Sequence, residues 1–282
     1  MAVYIYGAVL IILFLLKYLH SSSAEERVCE KYKIPPANTT EEIISEWDSR
    51  DSALFNYISS IVPQALAHTG SSAFDSHLQG VQLILRHWGA PEYISDAGLF
   101  HSIYGTEGFQ GFKLPLSYRP KVRELIGLQA ERLVWIFCMV DRFTFDQTLF
   151  QDLSNVTEGG RIELLARPEL GRFPIPLEGE EEWLDFMELT LADWLEQVEG
   201  AAEKESSLFH WKVGEAWSYR RKAYAKMAEI LGEKRQLFIA GDMLRDIYQR
   251  EAGETRHLHQ EVTPPMSKAA EEARDALLYA NS

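Results

Sequence analysis

His77, His101 and Asp141 are ionisable, lie far apart in the chain, and each falls on the apolar face of a predicted helix. Within DSHLQGVQLILRHWG, His77 stands four, seven, eight and eleven positions before Val81, Ile84, Leu85 and Trp88, the spacing of one helical face. His101 follows Ile94 and Ala97 by seven and four positions, and Asp141 follows Val134 and Phe137 by the same offsets. All three therefore point inward on this spacing. Burying such a group without a partner is costly, so each needs compensation. A shared divalent ion (Mn, Fe or Zn) would satisfy two imidazoles and a carboxylate while leaving positions for water or substrate, and would polarise a phosphoryl or carbonyl oxygen. The plainer reading is that each His is hydrogen-bonded to backbone in a core, and that Asp141 caps a helix or pairs with Arg142.

The elements that must position these residues read as helices. Apolar residues recur at helical spacing at Leu54, Ile58, Ile61 and Val62, and again at Leu78, Val81, Leu85 and Trp88. Further helical stretches fall near 91–104, 118–127, 129–143, 180–200, 208–231 and 235–250, and no run alternates as a half-buried strand would. The expected fold class is all-α. Gly89, after Trp88, is expected to cap its helix in the left-handed conformation. Two stretches interrupt the pattern: 105–117, with three glycines and a proline, and the Gly- and Pro-rich 157–179. Past about 203 the chain is charged and amphipathic, and a single such helical unit is expected to bury its apolar face on the main domain.

The chain has 282 residues, 46% of them apolar, enough for a real core. A net charge of −14 repels a phosphate backbone, so no nucleic-acid partner is expected, although a pocket can still favour a small anion. The two cysteines form no disulfide framework, and Cys138, within LVWIFCMV, reads as a buried, inert thiol. Phosphate-binding loops, dinucleotide fingerprints and nucleophile elbows are absent from the sequence.

Residues 2–16, AVYIYGAVLIILFLL, are uncharged and apolar, just short of an ordinary span, with Lys17 and Tyr18 able to reach the headgroups. No basic residue precedes this run and several follow it, which favours a single-pass anchor with the bulk on the cytoplasmic side. The alternative is a signal peptide cleaved near Ser22-Ser23-Ala24, leaving a secreted or lumenal protein. The expected organisation is an anchor at 1–20, a linker at 21–44, a helical domain at 45–200 and a helical extension at 201–282.

His77-Leu78-Gln79-Gly80-Val81, Ile84-Leu85, Gly89 and Ala97-Gly98-Leu99-Phe100-His101 resemble the opening of the RelA/SpoT-type alarmone hydrolase domain, a branch of the HD superfamily. Its pattern is HPxxVAxIL, a glycine, then AALLHDxxED. The separation of the two histidines, 101 − 77 = 24 residues, fits that branch, and Val140-Asp141-Arg142 is similar to its LADR segment, which supplies the last metal-binding aspartate. The resemblance covers about residues 60–145 and implies an HD-like helical fold. Ser102 stands where the family has the aspartate of its HD pair, its ED pair falls on Gly105 and Thr106 with Glu107 one position late, and its base-stacking arginine has no counterpart between His68 and His77. A closer likeness is to an HD-like domain of unknown function whose signature is AGLFHSxYGT, matched here by His68, His77, Trp88, Gly89, His101, Ser102, Tyr104, Gly105 and Thr106.

That likeness implies metal ligands at His77, His101, Asp141 and His68, with Glu107, Ser102 and Tyr104 as catalytic candidates. The expected function is a membrane-tethered, metal-dependent hydrolase acting on a small phosphorylated or polar substrate. The alternative is a degenerate HD-like domain that senses a ligand or docks a partner without turnover. Oxygen chemistry at an iron pair ranks last, because no further ligands can be named.

Overall fold

The computed structural model describes residues 27–61, 71–107, 113–151, 162–203, 205, 212–214 and 216–249, which are mostly helical. The expected anchor at 1–20, His68 and the chain beyond 249 lie outside them. Among the described residues no helix is long and apolar enough to cross a membrane.

Helix α1 spans Glu41–Ile61. The Thr40 hydroxyl accepts from the Ile43 N–H at its start, and Glu41 and Glu42 face the positive end of its dipole. Helix α2, Ser71–Trp88, buries Leu78, Val81, Ile84, Leu85 and Trp88 as their spacing predicts. It ends at Gly89, whose φ of +82° lets the Gly89 N–H reach the Arg86 carbonyl and the Ala90 N–H reach that of Leu85, a Schellman cap. Helix α3, Glu92–Phe100, follows at once and is buried from Ile94 onward. A Cβ built on Gly98 would lie 2.6 Å from Leu85 Cδ1, so the missing side chain is what lets α3 sit this close to α2.

Helix α4, Arg119–Met139, bends at Gly127 and gives way to extended backbone at Val140, which bridges to Ala166. Helix α5, Arg142–Leu149, begins after it. Two three-residue strands, β1 (Glu163–Leu165) and β2 (Pro174–Pro176), form an antiparallel hairpin in which Leu164 faces Ile175.

Helix α6, Glu180–Ala202, is buried on nearly all sides. It runs against α2, α3, α4 and the short turn Val28–Tyr32. Helices α7 (Arg221–Arg235) and α8 (Phe238–Gln249) pack on α6 and on each other, as expected of an amphipathic pair that cannot bury its own face. The buried acids of α6 find partners in this interior. Asp185 takes Tyr93 and Arg235, Glu188 takes Arg235, and Glu199 accepts from the backbone N–H groups of Val28 and Cys29.

Candidate metal centre

His77 projects from the first half of α2 toward α6, and His101 is the residue at which α3 ends, still in right-handed helical conformation. Their Nε2 atoms stand 3.2 Å apart. Asp193, from the middle of α6, brings Oδ1 to 3.2 Å from each of them. Donor atoms about 2.1 Å from a common ion, at angles between roughly 90° and 109°, lie roughly 3.0–3.4 Å from one another, and the three observed separations of 3.2 Å fall inside that interval. The His101 side chain is 1% exposed and Asp193 7%, while His77 keeps 20% of its surface open.

The far side of each ring is also held. His101 Nδ1 lies 2.7 Å from the Gly98 carbonyl, which only accepts, so Nδ1 carries the proton and Nε2 is left with its lone pair toward the centre. His77 Nδ1 lies 2.5 Å from Glu196 Oε2, and Lys33 Nζ secures the other oxygen of Glu196 at 2.7 Å. An imidazole whose second nitrogen is fixed by a carboxylate or carbonyl is the arrangement that orients metal-ligating histidines. Gly80, one turn along α2 from His77, makes room for this: a Cβ there would sit 2.8 Å from Glu196 Oε1 and 3.0 Å from Lys33 Cε.

The charges reinforce one another. Burial alone would lower the pKa of His77, but hydrogen bonds to Asp193 and Glu196 outweigh it and hold the pKa up at about 9. Burial would raise Asp193, yet the two imidazoles pull it well below the ordinary carboxylate range. Burial also works against an ionised Glu196, which His77 and Lys33 keep low. Without a cation, a proton shared among these groups is what relieves two acids placed beside two rings.

Asp141 does not join this group. Among the described residues, the cluster with metal-ligand spacing is His77, His101 and Asp193. The offsets from Val134 and Phe137 fail at Asp141 because α4 stops at Met139 and Val140 is extended. Asp141 instead is the N-cap of α5, accepting from the Phe143 N–H at 3.2 Å, and its other oxygen pairs with Arg172 at 3.0 Å. His68 lies outside the described residues.

Of the catalytic candidates, Tyr104 donates to the buried Glu131, which also takes Arg119 and Arg123, so its bond anchors the turn to α4. Ser102 is buried in that turn, where its carbonyl accepts from the Gly105 N–H. Glu107 accepts from the Arg142 backbone N–H at 3.2 Å, and burial raises its pKa. None of the three is a member of the cluster.

Asp193 carried a signal in the sequence. Leu191-Ala192-Asp193 reproduces three letters of the LADR segment, whereas Val140-Asp141-Arg142 shares only the last two.

An open groove of about 740 Å³ borders the exposed edge of His77, lined by Arg27, Lys33, Gln79, Glu196 and Gln197 among others. Phe137 meets the His101 ring edge to face at 5.0 Å, and the Arg142 guanidinium lies 4.0 Å over the Phe137 ring. Burial lowers the pKa of Arg142 to about 10, which leaves it charged at neutral pH.

A family model described as a domain of unknown function (DUF6817) matches residues 57–142. No curated protein and no solved structure matches the chain. The matched segment contains both histidines of the cluster and ends well before Asp193, so the site is completed by a helix outside it.

Proposed function

We propose that the protein is an HD-like, metal-dependent hydrolase acting on a small phosphorylated or polar substrate, tethered to a membrane by its apolar amino-terminal segment. The observation that carries this reading is the triangle of His77 Nε2, His101 Nε2 and Asp193 Oδ1, with sides of 3.2 Å and with both Nδ1 atoms already engaged by acceptors. Two imidazoles and one carboxylate on a single face suit a divalent ion of the Mn, Fe or Zn kind. When bound, such an ion supplies Lewis acidity toward a phosphoryl or carbonyl oxygen and lowers the pKa of water. Gly98 and Glu196 hold the two rings in the orientation and tautomer this requires, Lys33 fixes Glu196, and Phe137 keeps the inner side of His101 dry.

A specific observation favours a second reading, binding without turnover. Ser102 offers no carboxylate, and the one acid nearby in sequence, Glu107, is engaged by the Arg142 N–H. The two readings separate experimentally. Metal content of the purified full chain is expected at about one divalent ion per protein, lost in His101→Ala. Turnover of a small aryl phosphate that disappears in Asp193→Asn would favour the enzyme, whereas stoichiometric metal without turnover of any ester tested would favour the sensor. A wild-type chain that retains no divalent ion would overturn both.

A further inference from the structure

Arg142 is only 7% exposed, and its guanidinium is at odds with its surroundings. Three comparably buried arginines, Arg86, Arg167 and Arg220, each have a carboxylate in contact: Asp51 and Glu92, Glu169, and Asp146 respectively. Among the described residues Arg142 forms no ion pair. Its side-chain contacts are two long ones, to Thr190 Oγ1 at 3.4 Å and to the Phe137 carbonyl at 3.5 Å, together with the faces of the Phe137 and Phe186 rings. Good N–H···O bonds are shorter than this, and a guanidinium has five N–H donors to place. A buried cation with no carboxylate in contact is costly even with the charges of Asp193, Glu107 and Asp146 around it, and such a group beside a cluster of functional side chains is a candidate ligand contact.

Its position gives the missing partner a character. Phe137, on which Arg142 rests, stands edge to face with the His101 ring at 5.0 Å. Thr190 precedes Asp193 by one turn of α6 and so shares its face. Of the charged groups around Arg142, Asp193 acts on it most strongly. The guanidinium therefore lies on the side of the triangle of donor atoms that Phe137 and Thr190 occupy.

The geometry points to an oxyanion subsite, formed by Arg142 and Thr190 next to the metal centre, that takes a phosphoryl group. This deepens the hydrolase reading and rests on it for the ligand's third contact. A planar guanidinium fork matches paired oxygens of an oxyanion. The Thr190 hydroxyl accepts from Arg142 and keeps its own proton to donate. A cation held by His77, His101 and Asp193 would be the third partner, and a phosphoryl group can turn a separate oxygen to each of the three, where a carboxylate would have to share its two.

Inorganic phosphate is the probe, titrated into the full chain and into Arg142→Met and Arg142→Lys by calorimetry, with melting followed in parallel. Wild type is expected to bind phosphate and to melt higher with it. Arg142→Met should lose at least about tenfold in phosphate affinity, Arg142→Lys should recover part of it, and acetate should bind at least about tenfold more weakly than phosphate to wild type. Without phosphate, Arg142→Met should melt no lower than wild type, because a buried charge with no carboxylate in contact has been removed. A merely structural arginine would show the reverse, a lower melting temperature and unchanged phosphate binding, and that result overturns the proposal. So does a wild type that ignores phosphate, or acetate binding as tightly as phosphate. Metal content measured on the same samples keeps the two readings apart. Phosphate binding that depends on Arg142 in a chain holding no metal supports the subsite and sinks the metal centre, whereas metal retained with phosphate binding indifferent to Arg142 does the opposite.

Discussion

Asp193, within α6, and Asp141, at the N-cap of α5, are both buried carboxylates, and the bonds each accepts assign them different work. Asp193 has imidazole nitrogens at 3.2 Å on two sides, whereas Asp141 holds the Phe143 N–H and Arg172. Replacing Asp193 by Asn removes a donor of the triangle, so bound metal should fall below detection in a stoichiometry measurement. Asp141→Ala removes a cap and should cost about 1 kcal/mol of stability in a denaturant titration, with metal content unchanged. Metal loss in Asp141→Ala at intact fold would mean that the carboxylates have been assigned the wrong way round. The histidines were legible because each sits on a periodic apolar face that reaches its position intact. Asp193 was not legible from periodicity, because α6 is buried all round and a helix without an exposed face has no contrast from which to read its inward residues; its one signal was the Leu191-Ala192-Asp193 triplet.

At the scale of elements, the approach of α2 to α6 is set by a residue with no side chain. Gly80 leaves the space that Glu196 and Lys33 occupy, and a methyl group there would meet Glu196 Oε1 at 2.8 Å and its Cγ at 3.0 Å. Two effects of Gly80→Ala oppose each other in stability. Alanine favours the helix by about 1 kcal/mol, and displacing a packed side chain costs roughly 1 kcal/mol or more, so the melting temperature should change little. The metal site has no such compensation. Moving Glu196 frees His77 Nδ1, and metal affinity should fall by about tenfold to a hundredfold, matched by Glu196→Gln. Calorimetric titration of metal checks this, and equal affinities in Gly80→Ala and wild type would show that the Glu196 contact does not orient His77. The helices themselves were legible from spacing, with α6 expected at 180–200 and found at Glu180–Ala202. The β1 and β2 hairpin was not, since the segments ELL and PIP are too short to display alternation. The end of α4 also escaped, because Val140 is as apolar as the helical residues before it and nothing in its type announces extended backbone.

For the molecule as a whole, the turn Val28–Tyr32 joins the segment nearest the expected anchor to the helix that carries the site. Glu199, two turns beyond Asp193 on α6, accepts from the Val28 and Cys29 N–H groups at 2.9 and 3.0 Å, and four residues after Cys29 comes Lys33, on Glu196. Cys29 reports on whether that clasp is closed. Burial, with Glu199 adding to it against Lys33, pushes its thiol up to about 12, and burial does the same for Cys138. A thiol at about 12 in place of 9.0 carries about a thousandfold less of the reactive thiolate at pH 8. Because the shift is upward, iodoacetamide labelling of both native thiols should stay slow through pH 10 and quicken only as pH nears 12. Glu199→Ala should open the turn and let Cys29 label at pH 8 at least about tenfold faster, while Cys138, enclosed in α4, stays protected. Mass spectrometry of the labelled peptides distinguishes the two sites. Equal acceleration at Cys138 would indicate general loosening instead, and protection of both thiols in the variant would show that packing of Val28 and Tyr32, rather than the Glu199 carboxylate, holds the amino-terminal turn against the site.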